Sequence, residues 1–113
     1  MHELAITQSV VDTVTERTGT ASVTSVRLRV GRLAGVVPDA VRFCFEMVTA
    51  GTPLEGAELE IEEPEGRGRC RTCGDEFRMS DLVLLCCCGS ADVEVLAGRE
   101  LAIASVVLAV PMS

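Results

Sequence analysis

Met1-His2-Glu3 sets three nitrogen donors side by side: the α-amine of Met1, the backbone amide nitrogen of His2 and the His2 imidazole. Bound to one ion, they close a five-membered and a six-membered chelate ring without help from any fold. Ni(II) and Cu(II) favour square-planar or tetragonal nitrogen sets of this kind. His2 is the only histidine of the 113 residues. Chain termini commonly fray into solvent, so the tripeptide gains meaning only if the rest of the chain supports it.

A second constellation lies far downstream. Cys70-Arg71-Thr72-Cys73-Gly74 has the spacing of a zinc knuckle. Two intervening residues let both thiolates face one ion, and glycine tolerates the turn that aims amide hydrogens at sulfur. The run Leu85-Cys86-Cys87-Cys88-Gly89-Ser90 follows. Leu85 stands where a regular second knuckle would have its first cysteine, so three cysteines compete for two places. Neighbours in an extended segment point to opposite sides, whereas residues two apart share a side. Cys86 and Cys88 are therefore the expected partners of Cys70 and Cys73, with Cys87 turned outward. A closed site of four thiolates is tetrahedral and structural, with no open coordination position for hydrolysis. A disulfide pair and a redox-active C-x-x-C are the competing readings, and the latter lacks its usual βαβ setting.

These residues need positioning. Leu4 to about Thr18 has Ile6, Val10 and Val14 four apart and Leu4 and Val11 seven apart, which predicts an amphipathic helix ending near Gly19. Val26, Leu28 and Val30 alternate with Arg27 and Arg29, the period of a one-sided strand. Gly31 and Gly35 bracket a turn, and Pro38 opens a second helix to about Ala50 with Val41, Phe45 and Val48 inward. Cys44 reads as a small buried hydrophobe. Ala57, Leu59 and Ile61 alternate with Glu58, Glu60 and Glu62, and the two charge rows favour pairing of the two strands. Pro and Gly in Glu63–Gly68 mark a linker. Asp92–Leu96 and Glu100–Val110 read as strands, the last apolar on both faces and so expected inside the sheet. The expected class is α+β: two helices on a small, about three-stranded, mixed sheet with an inserted four-cysteine zinc-ribbon domain. Residues 1–65 plus 99–113 would form the α/β domain that presents the N-terminal site, and 66–98 the zinc-binding domain.

Composition narrows the function classes. A net charge of −7 argues against phosphate backbones and anionic membranes. The apolar runs Leu82–Cys88 and Leu101–Val110 fall short of the ~20 residues that span a bilayer. Glu3 and Asp12 stand where a basic n-region would be, so no signal peptide is expected and the cytoplasm is the default compartment. With one histidine, at the terminus, no general base stands near the cysteines, so no enzyme is expected.

Met1-His2-Glu3-Leu4, Val36-Val37-Pro38-Asp39-Ala40-Val41-Arg42-Phe43, Leu54-Glu55-Gly56-Ala57, Cys88-Gly89-Ser90 and Val93-Glu94-Val95-Leu96-Ala97-Gly98-Arg99-Glu100-Leu101 together resemble the HypA/HybF family of nickel metallochaperones in [NiFe]-hydrogenase maturation. The resemblance implies a nickel site at Met1, His2 and Glu3, with the histidine indispensable, and zinc at Cys70 and Cys73. The family's second pair usually has two intervening residues, so carrying it to Cys86 and Cys88 is a choice of alignment. It also implies an accessory GTPase and the hydrogenase large-subunit precursor as partners, sometimes service to urease, and leaves a homodimer open. The alternative is a zinc-ribbon module for protein or nucleic-acid interaction. Its usual basic face is answered here by Asp75, Glu76 and Asp81 among the arginines.

Overall fold

The computed structural model describes residues 2–79, 81 and 83–109. The chain runs α1 (Glu3–Thr18), β1 (Val23–Val30), α2 (Pro38–Thr49), β2 (Glu58–Glu62), β3 (Gly66–Cys70), β4 (Glu76–Met79), β5 (Val93–Ala97) and β6 (Leu101–Leu108). It divides into two compact units: Met1–Leu28, Val36–Ile61 and Ala102–Ser113 in one, Arg29–Gly35 and Glu62–Leu101 in the other.

The first sheet has the order β2-β1-β6. Arg27 meets Glu60 at 2.8 Å and Arg29 meets Glu62 at 3.4 Å. Both members advance in the same direction, so β1 and β2 run parallel, and α2 supplies the crossover that parallel neighbours require. The pairing with β6 runs the other way. Ala109 donates to the Ser22 carbonyl at 2.9 Å, and the Gly31 amide donates to the Glu100 carbonyl at 2.7 Å. The sheet is therefore mixed. Val26, Leu28 and Val30 are buried while Arg27 and Arg29 are exposed, as the alternation requires.

Helix α1 buries Val11 and Val14, but Leu4, expected on the apolar face, is 54% exposed. Thr7 is buried instead. A hydroxyl is tolerated there because Thr7 Oγ1 donates to the Glu3 carbonyl at 2.7 Å, one turn back. Thr49 repeats the device on α2, donating to the Phe45 carbonyl at 2.7 Å beside buried Val41 and Phe45. Pro38 occupies the first turn of α2, where a missing amide hydrogen costs no helical bond.

Two further sequence expectations need correcting. The last strand was expected inside the sheet, yet β1 is central and β6 lies at an edge. None of the eight residues of β6 is buried. The expected end of that strand at Val110 lies outside the described residues. The second correction concerns Glu63–Gly68, expected as a linker: Gly66, Arg67 and Gly68 belong to β3.

That strand centres the second unit's sheet, order β4-β3-β5, and pairs antiparallel on both sides. Its glycines are there for packing. A Cβ on Gly68 would come within 2.6 Å of the Met79 sulfur and 2.8 Å of Val93, and one on Gly66 would collide with Leu33. Leu33, Cys70, Met79, Cys86 and Val93 form the buried cluster of this unit, with Phe77, Leu84 and Val95 packed against it.

Candidate metal centre

Strand β3 ends at Cys70, and the chain turns immediately. The Gly74 amide donates to the Cys70 carbonyl and the Cys70 amide to the Asp75 carbonyl, both at 2.8 Å. Gly74 sits at φ +82°, a conformation that side-chain-bearing residues rarely adopt. The second turn repeats the pattern. Gly89, at φ +92°, donates to the Cys86 carbonyl at 2.9 Å, and Cys86 donates to the Ser90 carbonyl at 2.9 Å. Thr72 and Ser90 share a hydroxyl hydrogen bond at 2.8 Å that ties the two turns together.

The turns bring the sulfurs of Cys70, Cys73, Cys86 and Cys88 within 4.8 Å of one another. Cys70 and Cys88 sulfurs lie 3.7 Å apart, and those of Cys73 and Cys86 lie 3.6 Å apart. Four sulfurs placed ~2.3 Å from a central zinc would be separated by about 3.8 Å along each tetrahedral edge. The cluster fits a zinc site. The same separations far exceed a disulfide bond of ~2.05 Å, and all six cysteines are free thiols. Cys87 is exposed and stands outside the cluster, and Cys44 is half-buried on α2.

The thiols divide electrostatically. The Cys73 amide donates to the Cys70 sulfur at 3.4 Å. That bond is the chief reason the Cys70 pKa falls to about 6. Cys73, Cys86 and Cys88 are raised. In each of these an amide hydrogen, from Asp75, Cys88 and Ser90 respectively, pulls downward and is outweighed by desolvation and by neighbouring thiols. Crowded thiolates repel, so the cluster favours a cation that relieves them all at once.

Leu33 is the supporting residue that sequence reasoning missed. It arrives from the loop after β1, far ahead of Cys70 in the chain, and no periodicity marks a lone leucine in a turn. Its amide donates to the Gly98 carbonyl at 2.7 Å, which fastens the loop to the turn after β5.

At the other end of the chain, His2 is the exposed N-cap residue of α1, its carbonyl accepting from the Ile6 amide at 3.0 Å. Glu3 begins the helix, and its Oε2 accepts the Val37 amide hydrogen at 3.2 Å. That bond leads the causes holding the Glu3 carboxyl below its usual range. Met1, the third expected nickel ligand, lies outside the described residues.

Residues 1–108 match the family model described as "Hydrogenase/urease nickel incorporation, metallochaperone, hypA". The chain belongs to the HypA family. Among curated relatives, the hydrogenase maturation factor HypA of Geotalea uraniireducens is 51% identical over 102 residues, covering 89% of this chain and 93% of its own. That of Nostoc punctiforme is 48% identical over 103 residues, covering 91% of both chains. The fold has solved counterparts. The solution structure of the Ni metallochaperone HypA from Helicobacter pylori superposes with a TM-score of 0.64 at 18% identity, covering 96% of this chain and 97% of that one. A second HypA solution structure gives 0.59 at 17% identity, over 94% and 92% of the two chains. HypA membership makes this a member of a hydrogenase/urease nickel metallochaperone family, with a cysteine cluster that fits zinc. No described helix is long and apolar enough to cross a membrane.

Proposed function

We propose that the chain carries Ni(II) at its N-terminus and delivers it for maturation of [NiFe]-hydrogenase, catalysing no bond chemistry itself. The observation that carries this reading is the exposed His2 at the N-cap of α1 in a chain of a nickel-incorporation family. The first amides of a helix have no intrahelical partner. Nitrogen ligation at His2 therefore costs α1 no hydrogen bond, and His2 itself stands at the start of a helix. The Met1 amine and the amide and imidazole nitrogens of His2 supply three ligands. Glu3 takes part through its backbone nitrogen, its carboxylate being engaged with Val37. Metal ligands must be deprotonated to bind, so nickel competes with protons for these nitrogens.

Cys70, Cys73, Cys86 and Cys88 would hold a structural zinc, which supplies folding energy to the second unit. The domain containing Met1–Glu3, residues 1–65 plus 99–113, handles nickel, and 66–98 is the zinc domain. Delivery requires partners, and the accessory GTPase of hydrogenase maturation and the hydrogenase large-subunit precursor are the proposed ones, met in the cytoplasm.

The test is equilibrium dialysis with Ni(II) on the untagged chain and on His2→Ala, with zinc content measured alongside. The expected result is loss of nickel with zinc unchanged. Equal nickel in both proteins would sink the N-terminal site.

A further inference from the structure

Strands β3 and β4 set two arginines directly against each other. Arg67 of β3 is the register partner of Arg78 of β4. Like charges facing each other across a strand pair are destabilising. Elsewhere the chain matches its arginines with acids. Arg69, two places along β3, lies between Glu76 on β4 and Glu94 on β5, whereas Arg67 has Ala97 as its β5 partner. Arg27 and Arg29 meet Glu60 and Glu62 in the first sheet, and Arg71 meets Asp92 at 2.8 Å. Arg67 and Arg78 thus form a cationic spot in a chain of net charge −7.

The carboxylates around this spot hold it loosely. Arg67 and Arg69 share one oxygen of Glu76 at 3.3 and 3.6 Å, and Arg78 reaches Glu65 at 3.7 Å. Every one of these side chains is at least 42% exposed, and Arg78 is 85% exposed. Ion pairs so exposed contribute little and exchange readily for a better partner. Arg67, Glu76, Phe77 and Arg78 line an open groove of about 450 Å³. The groove borders β4, which has β3 on one side and no strand on the other among the described residues. The four outer strands differ in charge. β2 carries Glu58, Glu60 and Glu62, β5 carries Glu94, β6 carries no charge, and β4 alone carries an arginine. An extended segment laid along β4 meets edge backbone groups and two guanidiniums together.

We propose that an acidic, extended segment of a partner protein docks beside β4, its carboxylates bridging Arg67 and Arg78. Guanidinium and carboxylate match in geometry as well as charge. A shared anion also offsets the repulsion that the free ladder carries. Nucleic acid fits less well, because Glu65, Asp75 and Glu76 interrupt the run of cations that a phosphate backbone requires. The surface lies on the cysteine-bearing unit, and its test does not depend on nickel.

The test is fluorescence anisotropy of a labelled peptide of alternating glutamate and valine, titrated with the zinc-loaded full chain. Binding that weakens with added salt is expected. Arg67→Gln and Arg78→Gln should each weaken it about tenfold, as loss of a hydrogen bond to a charged group does. Zinc content and thermal midpoint should stay unchanged in both. Arg42→Gln, which removes the same charge from α2, should bind as wild type does. Absence of peptide binding overturns the proposal, as does equal binding by Arg42→Gln and Arg78→Gln. Tighter binding of single-stranded RNA of the same length would assign the spot to nucleic acid. Self-association lost in Arg78→Gln would assign it to a second copy, and either result overturns the proposal.

Discussion

Glu3 and Val37 stand 34 positions apart, and the carboxylate of the first takes the backbone hydrogen of the second at 3.2 Å. The bond joins the first residue of α1 to the N-cap of α2. It also defines what Glu3 has left to offer a metal. Glu3→Gln, which keeps an oxygen acceptor, should leave the X-ray absorption spectrum of the nickel-loaded protein unchanged. Glu3→Ala should lower the thermal midpoint. A nickel spectrum altered in Glu3→Gln would mean that the carboxylate is a ligand after all.

The N-terminal amine is the second ligand under test. A short extension ahead of Met1 replaces that amine with an amide and moves the chelate away from a chain end. Nickel affinity should fall at least tenfold, while zinc stays at one per chain. Calorimetric titration with and without a cleavable extension reads both, and full nickel affinity with the extension in place would contradict the chelate.

The cysteine run makes a sharper prediction. Cys87 lies outside the sulfur cluster, so Cys87→Ser should retain its zinc. Cys86→Ser and Cys88→Ser should each lose it and expose the second unit to proteolysis. Zinc retained by Cys88→Ser but lost by Cys87→Ser would invert the assignment.

Proton release tests the electrostatics of the same site. Cys70 is lowered to about 6, so above that pH it is already a thiolate, whereas Cys73, Cys86 and Cys88 are raised and protonated at neutrality. Zinc binding near neutral pH should therefore release about three protons. The fourth should appear as pH falls through about 6, and zinc affinity should decline more steeply below that value. For the metal-free chain, the depressed Cys70 pKa stabilises the fold above the unfolded thiol's ~8.5, and that contribution is lost as pH falls toward 6. The raised thiols act oppositely, their contribution present at low pH and lost as pH rises through their folded values. Titrations in buffers of different ionisation enthalpy count the protons; four at neutral pH would show that Cys70 is not pre-ionised.

Leu33 is 3% exposed within the cysteine-bearing cluster. Leu33→Ala should cost about 2–5 kcal/mol, the range for a buried leucine truncated to alanine. Denaturant unfolding of the zinc-loaded protein checks it, and a cost near zero would remove Leu33 from the core.

Local patterns were legible wherever neighbours in sequence carried the information. The alternation around Arg27 and Arg29, and its mirror at Glu60 and Glu62, marked two strands that the ion pairs join. Cysteine parity singled out Cys86 and Cys88, the pair that clusters with Cys70 and Cys73. Yet Cys87 and Cys88 lie in a turn closed by the Gly89 amide on the Cys86 carbonyl, not in the extended segment that parity assumes. Long-range packing left no such trace. Gly66 and Gly68 looked like flexibility because the side chains that need their bareness, Leu33, Met79 and Val93, come from other parts of the chain. The apolar faces of β6 spoke of a strand with two neighbours, whereas among the described residues it pairs with β1 alone.

The placement of β6 beside β1 has a kinetic consequence. β2 ends at Glu62 and β6 begins at Leu101, and the first sheet needs both as flanks of one strand. Its last seam therefore closes only after the intervening residues have been looped out and brought back, and the entropy of that closure rises with the logarithm of the free loop length. Thiolates of Cys70 and Cys88 joined through one ion would shorten that loop before β6 docks. Zinc would then speed the closing of a sheet whose strands contain none of its ligands.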